Sequence, residues 1–242
     1  MTDTRSQPVT DTTTQDAFEA LANYVITDHS LDGTLQLVVD LAAASIQGAQ
    51  MVGISLLRKG RVMTAVSTGA QVEVIDVLQY EANSGPCLQA MLDGVPQLVR
   101  SMLTETRWPD FTNKALYQGV QSILAFPLKS DSEVFGAINL YSHQDDAFND
   151  RSVSVGQAFA SRASVVLLNA ARYDEANCLA DQLQEALQSR AVIDQAKGIL
   201  MGREGISADE AFDRLKALSQ RSNLKVRELA RRLVEDATGG SH

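Results

Sequence analysis

Between Asp150 and Met201 the chain runs for more than fifty residues without a proline. Phe159, Val166, Tyr173, Ala180 and Leu187 recur every seven residues, and Ala163, Ala170, Ala176 and Leu183 lie near the same face. A seven-residue repeat keeps one stripe on one side of a helix and marks a seam against a second helix. The first half of such a helix can lie on its own sheet. The second half, Asp174 to Gln188, offers Leu179, Leu183 and Leu187 but too little else to join a core. An isolated helix with one apolar stripe is marginal in water, so a dimeric coiled coil is expected there.

Charge separates the two ends of the chain. The formal net charge is -9, yet residues 188–242 hold 10 Lys/Arg against 8 Asp/Glu. Residues 1–187 hold 11 against 22. An acidic bulk repels nucleic acid, so a polyanion site has to be local, at the carboxyl end, and salt-sensitive. With 5% aromatic residues and a single Trp, an RNA-recognition sheet built on stacked aromatics is not expected.

Ahead of the long helix the periodicity changes several times. Residues 1–15 are polar and are expected to be unstructured. A helix is expected from Asp16 to Thr27, then a second behind Ser30 as N-cap, with Leu31, Leu35, Val38, Val39, Ala42 and Ile46 at helical spacing. Strands are expected over Met51–Leu57 and Val62–Thr68, joined by a turn at Lys59-Gly60-Arg61. Val72–Ala82 and Cys87–Asp93 read as helices around the breaker Ser84-Gly85-Pro86, Pro96–Arg100 as a short strand, and Trp108–Leu116 as a helical segment. Ser122–Leu128 and Val134–Tyr141 form a hairpin across the polar loop 129–133. The fold class is α+β, an antiparallel sheet with flanking helices.

After the long helix, Gly202 and Gly205 mark its end, and Ser207-Ala208-Asp209-Glu210 is a capping box for the next helix, with Ala211, Phe212, Leu215 and Leu218 as its stripe. Ser222 or Asn223 is expected to cap a third helix striped by Val226, Leu229, Ala230 and Leu233. On the long helix Val192, Ile193, Ala196, Ile199 and Leu200 share one side, while Arg190, Asp194, Lys197 and Met201 lie opposite. Gly198 costs about 1 kcal/mol relative to Ala, so another helix or a nucleic-acid backbone is expected to come close there. Lys225, Arg227, Arg231 and Arg232 project from the third helix, and Glu228 is the only acid between Asn223 and Leu233. That patch is therefore expected to lack internal pairing.

Two resemblances follow from these residues. Ser84-Gly85-Pro86-Cys87, Arg107-Trp108-Pro109, the run from Gly119 to Leu128, and Phe135-Gly136-Ala137-Ile138-Asn139-Leu140-Tyr141 with Ala147-Phe148 resemble the GAF family of small-molecule sensor domains. Arg190, Ile193-Asp194-Gln195-Ala196-Lys197-Gly198, Leu200-Met201, then Ser207, Glu210, Ala211, Phe212, Leu215, then Asn223, Leu224, Leu229 and Ala230 resemble the ANTAR family of RNA-binding antiterminator modules. The resemblance implies a tail over 1–15, a GAF-like sensor over 16–170, a coiled-coil linker over 171–189, a three-helix ANTAR module over 190–236 and a tail over 237–242. It further implies a homodimer that binds paired RNA stem-loops and lets transcription continue. Arg190, Lys197, Gly198, Arg203, Lys225, Arg227 and Arg231 are the RNA-contact candidates.

No catalytic residue and no cofactor is assigned, and the ligand residues of the sensor half stay open: a small-molecule effector or an upstream signalling protein would suit it. Cys87 and Cys178 are the only cysteines and His29, His143 and His242 are scattered, so a metal site is not expected. Cys87 reads as a structural thiol, since no cation stands beside it in sequence, and Trp108 as a core plug. Unpaired thiols, no apolar leader and no apolar run of 18 residues point to a cytoplasmic protein without a membrane span. Two alternatives remain beside RNA binding: a DNA-binding transcription factor, and a thiol-dependent redox enzyme using the GAF-like half.

Overall fold

The computed structural model describes residues 10–23, 30–131 and 133–239. The expected features at residues 1–9, 24–29, 132 and 240–242 fall outside them. The chain divides between Asp174 and Glu175 into two compact units.

In the first unit, helices α1 (Thr10–Ala22) and α2 (Leu31–Ser45) precede a five-stranded sheet. Ser30 caps α2, its Oγ accepting the Gly33 N–H at 3.3 Å. Strands β1 (Met51–Arg58) and β2 (Arg61–Ser67) turn at Lys59 and Gly60, whose φ values of 51° and 76° make the left-handed two-residue link that suits strand twist. Helices α3 (Ala70–Ala82) and α4 (Pro86–Asp93), strand β3 (Gln97–Val99) and helix α5 (Pro109–Tyr117) follow, then strands β4 (Ser122–Ser130) and β5 (Glu133–Ser142). The order is β2-β1-β5-β4-β3, every pair antiparallel.

Both faces of the sheet are covered, so β4 reads as one apolar run and not as an alternation. On one face α1, α2 and the start of α6 (Asp150–Glu204), with Phe148 just before it, pack Leu35, Val38 and Phe159 onto Ile54, Phe126 and Ile138. On the other, Ile75 of α3, Trp108 and Phe111 pack with Ile123 and Tyr141.

Two boundaries differ from the sequence reading. α1 starts at Thr10, inside the segment expected to be unstructured, and ends at Ala22, while the expected stretch from residue 24 to Thr27 lies outside the described residues. Ala17 and Leu21 are buried in the core, and that tertiary anchor carries the preceding polar turn into the helix. The polar loop 129–133 is shorter than expected because β4 continues through Ser130 and β5 begins at Glu133, leaving Asp131 at φ 52° in the turn.

The second unit contains the rest of α6, then α7 (Ala208–Ser222) and α8 (Val226–Gly239) around Ala196, Leu200, Ala211, Leu215 and Ala230. Gly205, at φ 70°, ends α6 by donating its N–H to the Met201 carbonyl at 2.9 Å. Gly202 stays inside the helix. The capping box forms: Ser207 Oγ accepts the Glu210 N–H, and the Glu210 carboxylate accepts the Ser207 N–H at 2.8 Å. Neither Ser222 nor Asn223 caps α8. Asn223 ends α7 in the left-handed conformation, φ 53°, which asparagine tolerates better than most residues, and Ser222 is the last residue of α7. α8 extends to Gly239, into the segment read as a tail.

Gly136 sits where a Cβ would run into the backbone carbonyl oxygen of Ser55 on the paired strand. Backbone on a central strand cannot yield, so Gly136→Ala is expected to destabilise the first unit by about 1–3 kcal/mol. Trp108, the only tryptophan, lies in that unit's core and is 5% exposed. Urea unfolding followed by its fluorescence checks this; an unchanged midpoint contradicts it.

Candidate functional site

In the second unit α6 has two opposite faces. At 100° per residue, Val192, Ala196 and Leu200 point to α7 and α8, and of the residues expected opposite them Arg190, Asp194 and Met201 lie there, whereas Lys197 is half-buried at the flank. Asp194 is ion-paired on both sides, with Arg190 at 3.8 Å one turn before and with Lys197 at 3.5 Å one turn after. A Cβ at Gly198 would meet nothing within 4 Å. The close helix expected at Gly198 is therefore not supplied by the described residues of this chain.

The α8 cations occupy different ground. Arg227 and Arg231, four residues apart on one face of α8, line a recess of about 150 Å³ with Glu185, Gln188, Ser189 and Val192 of α6. Arg227 is not unpaired as expected: its guanidinium is held by the Glu185 carboxylate, from a helix 42 residues earlier. Sequence reasoning had counted only acids on α8 itself. Among the described residues Arg203, Arg221, Lys225, Arg231 and Arg232 make no ion pair, whereas Arg214 pairs with Glu204 at 3.2 Å. The seven candidates thus separate. Arg190 and Gly198 lie on the side of α6 turned from its core, Lys197 stands at its flank with a side chain only 24% exposed, Arg203 sits in the last turn of α6, and Lys225, Arg227 and Arg231 lie at and beyond the start of α8.

The sensor unit holds a buried polar cluster between its sheet and helices α3 and α4. Asp76, fully buried on α3, accepts hydrogen bonds from the Tyr141 hydroxyl, from Thr64 Oγ1 at 2.8 Å and from Asn139 Nδ2 at 3.2 Å. Asn139 Nδ2 also donates to Ser55 Oγ at 2.8 Å, which lies 2.7 Å from the Tyr80 hydroxyl. Gln79 donates from Nε2 to the Tyr141 hydroxyl at 3.0 Å and accepts the Cys87 N–H at 2.8 Å. Asn139 Oδ1 is buried without a partner. Burial pushes the Asp76 carboxyl up from 3.8 to about 6, against the pull of its three donors. On the same side of the sheet, Leu57, Val62, Asn83, Gly85, Leu88 and Leu92 line a recess of about 420 Å³.

Cys87 belongs to this cluster. Its thiol is fully buried, donates to Ser55 Oγ at 3.3 Å, and is pushed up to about 12 by burial and then by the charge of Asp76. A thiol nucleophile needs the opposite shift, so this residue packs and hydrogen-bonds, as expected from sequence. Trp108 is a core residue with the Arg107 guanidinium 4.2 Å from its ring. His143 Nδ1 lies 2.9 Å from the Gly119 carbonyl at the surface.

With both units described, comparison places the chain among known proteins. A GAF domain model matches residues 28–168, more than half of the chain, and an ANTAR domain model matches residues 181–234. The chain belongs to the GAF-domain family and carries an ANTAR domain behind its GAF domain. That pairing makes it an RNA-binding transcription antitermination regulator. The crystal structure of the GAF domain from Acinetobacter phosphoenolpyruvate-protein phosphotransferase is similar at a TM-score of 0.54 and 16% identity, over 70% of this chain and 99% of that one. Free methionine-R-sulfoxide reductase from Neisseria meningitidis is similar at 0.54 and 15%, over 72% and 98%. At such identities the likeness is one of fold. Among curated proteins none matches the chain.

The raised Asp76 carboxyl makes a signed prediction. Its folded value of about 6 exceeds the ordinary 3.8, so its stabilising protonation is complete below 3.8 and is lost as pH rises through 6. The loss amounts to roughly 3 kcal/mol. Asp76→Asn is expected to gain on the wild type by up to that amount between pH 4 and pH 7.5, measured by urea unfolding with Trp108 fluorescence. Parallel pH profiles for the two proteins contradict it.

Proposed function

We propose that the protein acts as a cytoplasmic homodimer whose two α8 helices grip a pair of RNA stem-loops, under control of the GAF unit. One observation supports the RNA surface: cations cluster at and beyond the start of α8, and among the described residues Lys225, Arg231 and Arg232 make no ion pair, while Arg227 and Arg231 line a recess of about 150 Å³ together with Glu185 and Glu228. Lysine and arginine hold phosphates, and arginine can also stack on or fork to an unpaired loop base. Arg203 adds a further cation in the last turn of α6.

Two copies are favoured by the α6 stripe. Leu179, Leu183 and Leu187 are 57%, 58% and 68% exposed, and every side chain from 174 to 188 is exposed. Such a stripe is stabilised by a second helix, and pairing doubles the basic surface to match an RNA with two repeated stem-loops. On the sensor side, the recess by Gly85 and Leu88, beside the Asp76 cluster, is the place for an effector. Among the described residues no helix is long and apolar enough to cross a membrane.

Titration of a two-stem-loop RNA at several salt concentrations, with duplex DNA as the competitor, tests the reading. Arg231→Ala with Arg232→Ala is expected to weaken RNA binding at least tenfold and to lower the salt dependence by about 1.5 in slope, as two phosphate contacts should. Glu185→Gln is expected to tighten binding several-fold, because it releases the Arg227 guanidinium. Unchanged affinity in the double variant places the RNA elsewhere.

A further inference from the structure

We infer that Arg190, Asp194 and Lys197 form a charged lock between two copies of α6, setting the register of a parallel pair, instead of a contact to RNA. The inference rests on the dimeric reading above and assigns to the second copy three residues that sequence alone suggested for a polyanion surface or left aside.

Periodicity carries the first step. Leu183, Arg190 and Lys197 are seven apart, and so are Leu187, Asp194 and Met201. The two series are offset by four and then three residues, the alternation of core positions in a two-stranded coil. The exposed leucine stripe therefore continues into the ion-paired trio and emerges at Met201, 38% exposed, on the side of the helix turned away from Ala196 and Leu200. No other described part of the chain covers that side at Gly198, where a side chain would meet nothing. Gly198 borders Asp194 one turn on, and the absence of a Cβ leaves room for the long side chains of a neighbouring helix.

The alternation of charge along the stripe then selects the register and direction of the pair. Within one chain Asp194 lies between Arg190 at 3.8 Å and Lys197 at 3.5 Å. In a parallel, in-register pair the two Asp194 residues form one layer, with a cationic layer about 5 Å above and another about 5 Å below. Each carboxylate then has cations from both copies within reach in the adjacent layers, which offset the like charges that a parallel pair sets face to face within each layer. A slip of seven residues sets Asp194 against Leu187 or Met201 and removes that compensation. An antiparallel pair centred on Asp194 sets Leu187 against Met201 and Leu183 against Gly205, losing the leucine layers. Polar residues at core positions of a coil weaken it but specify register, and that is the role assigned here.

The test uses the full chain with Cys178→Ser; Cys178 lies on the reverse of α6 and Cys87 is buried. Leu187→Cys and Met201→Cys, introduced separately on either side of the trio, are each expected to form the symmetric interchain disulfide under mild oxidation, and Gln195→Cys, off the seam, is not. Sedimentation of unmodified-cysteine proteins supplies the second readout. Asp194→Arg alone, and Arg190→Glu with Lys197→Glu, are each expected to weaken self-association at least tenfold, while their mixture restores a heterodimer. If the wild type is monomeric, the dimeric reading and the lock both fall. If Leu187→Cys links and Met201→Cys does not, the dimer stands and the lock is overturned. It is equally overturned if the charge variants associate like the wild type while their RNA affinity changes.

Discussion

A single α-helix can bury only the stripes it is given partners for, and α6 carries more than one. Over its first part Phe159, Ala163 and Leu167 close the core of the GAF sheet. Over its last part Val192, Ala196 and Leu200 close the core of the ANTAR unit. Between and opposite these contacts the helix is bare, and Leu179, Leu183 and Leu187 stand exposed along the 55-residue element. Every functional arrangement in the second unit follows from that constraint. The face committed to α7 and α8 positions Glu185 against Arg227, and the uncommitted face aligns Leu183, Leu187 and the Arg190–Asp194–Lys197 trio.

The sensor unit shows a different economy. Its sheet is closed by apolar packing on the side of α1, α2 and α6, but on the side of α3 and α4 it buries a carboxyl, two tyrosine hydroxyls, two amides and a thiol in one hydrogen-bonded set. Such a set is weaker per residue than apolar packing, since each group must be stripped of water, and the raised Asp76 carboxyl reports that cost. In exchange it is specific: moving α3 along its axis by one residue would break several hydrogen bonds together. Its neighbour, the recess by Gly85 and Leu88, shares α4 with Cys87, whose N–H donates to Gln79 of the cluster.

Much of the local structure was legible. The hairpin at Lys59-Gly60, the Ser30 cap, the Ser207–Glu210 capping box and the Gly205 stop are decided by residues within four positions of one another. Asn223 was misread because an asparagine between two helices suits either the end of one or the start of the next, and only the packing of Leu215 and Ala230 chooses. The start of α1 was missed because its first turn is polar, and what holds it is the burial of Ala17 and Leu21 further along. In the basic region, acids were counted along α8, while the acid that meets Arg227 comes from α6.

The sequence by itself determined the order of modules, the hydrophobic period of each helix, and which end of the chain is cationic, because composition and period are properties of neighbours in the chain. Only the tertiary structure decided which cations are paired, that Asp76 is buried among hydroxyls, and that Gly198 faces open space. Those are consequences of distance in space between residues such as Glu185 and Arg227 or Asp76 and Tyr141, which lie 42 and 65 positions apart, and electrostatics and hydration answer to that distance alone.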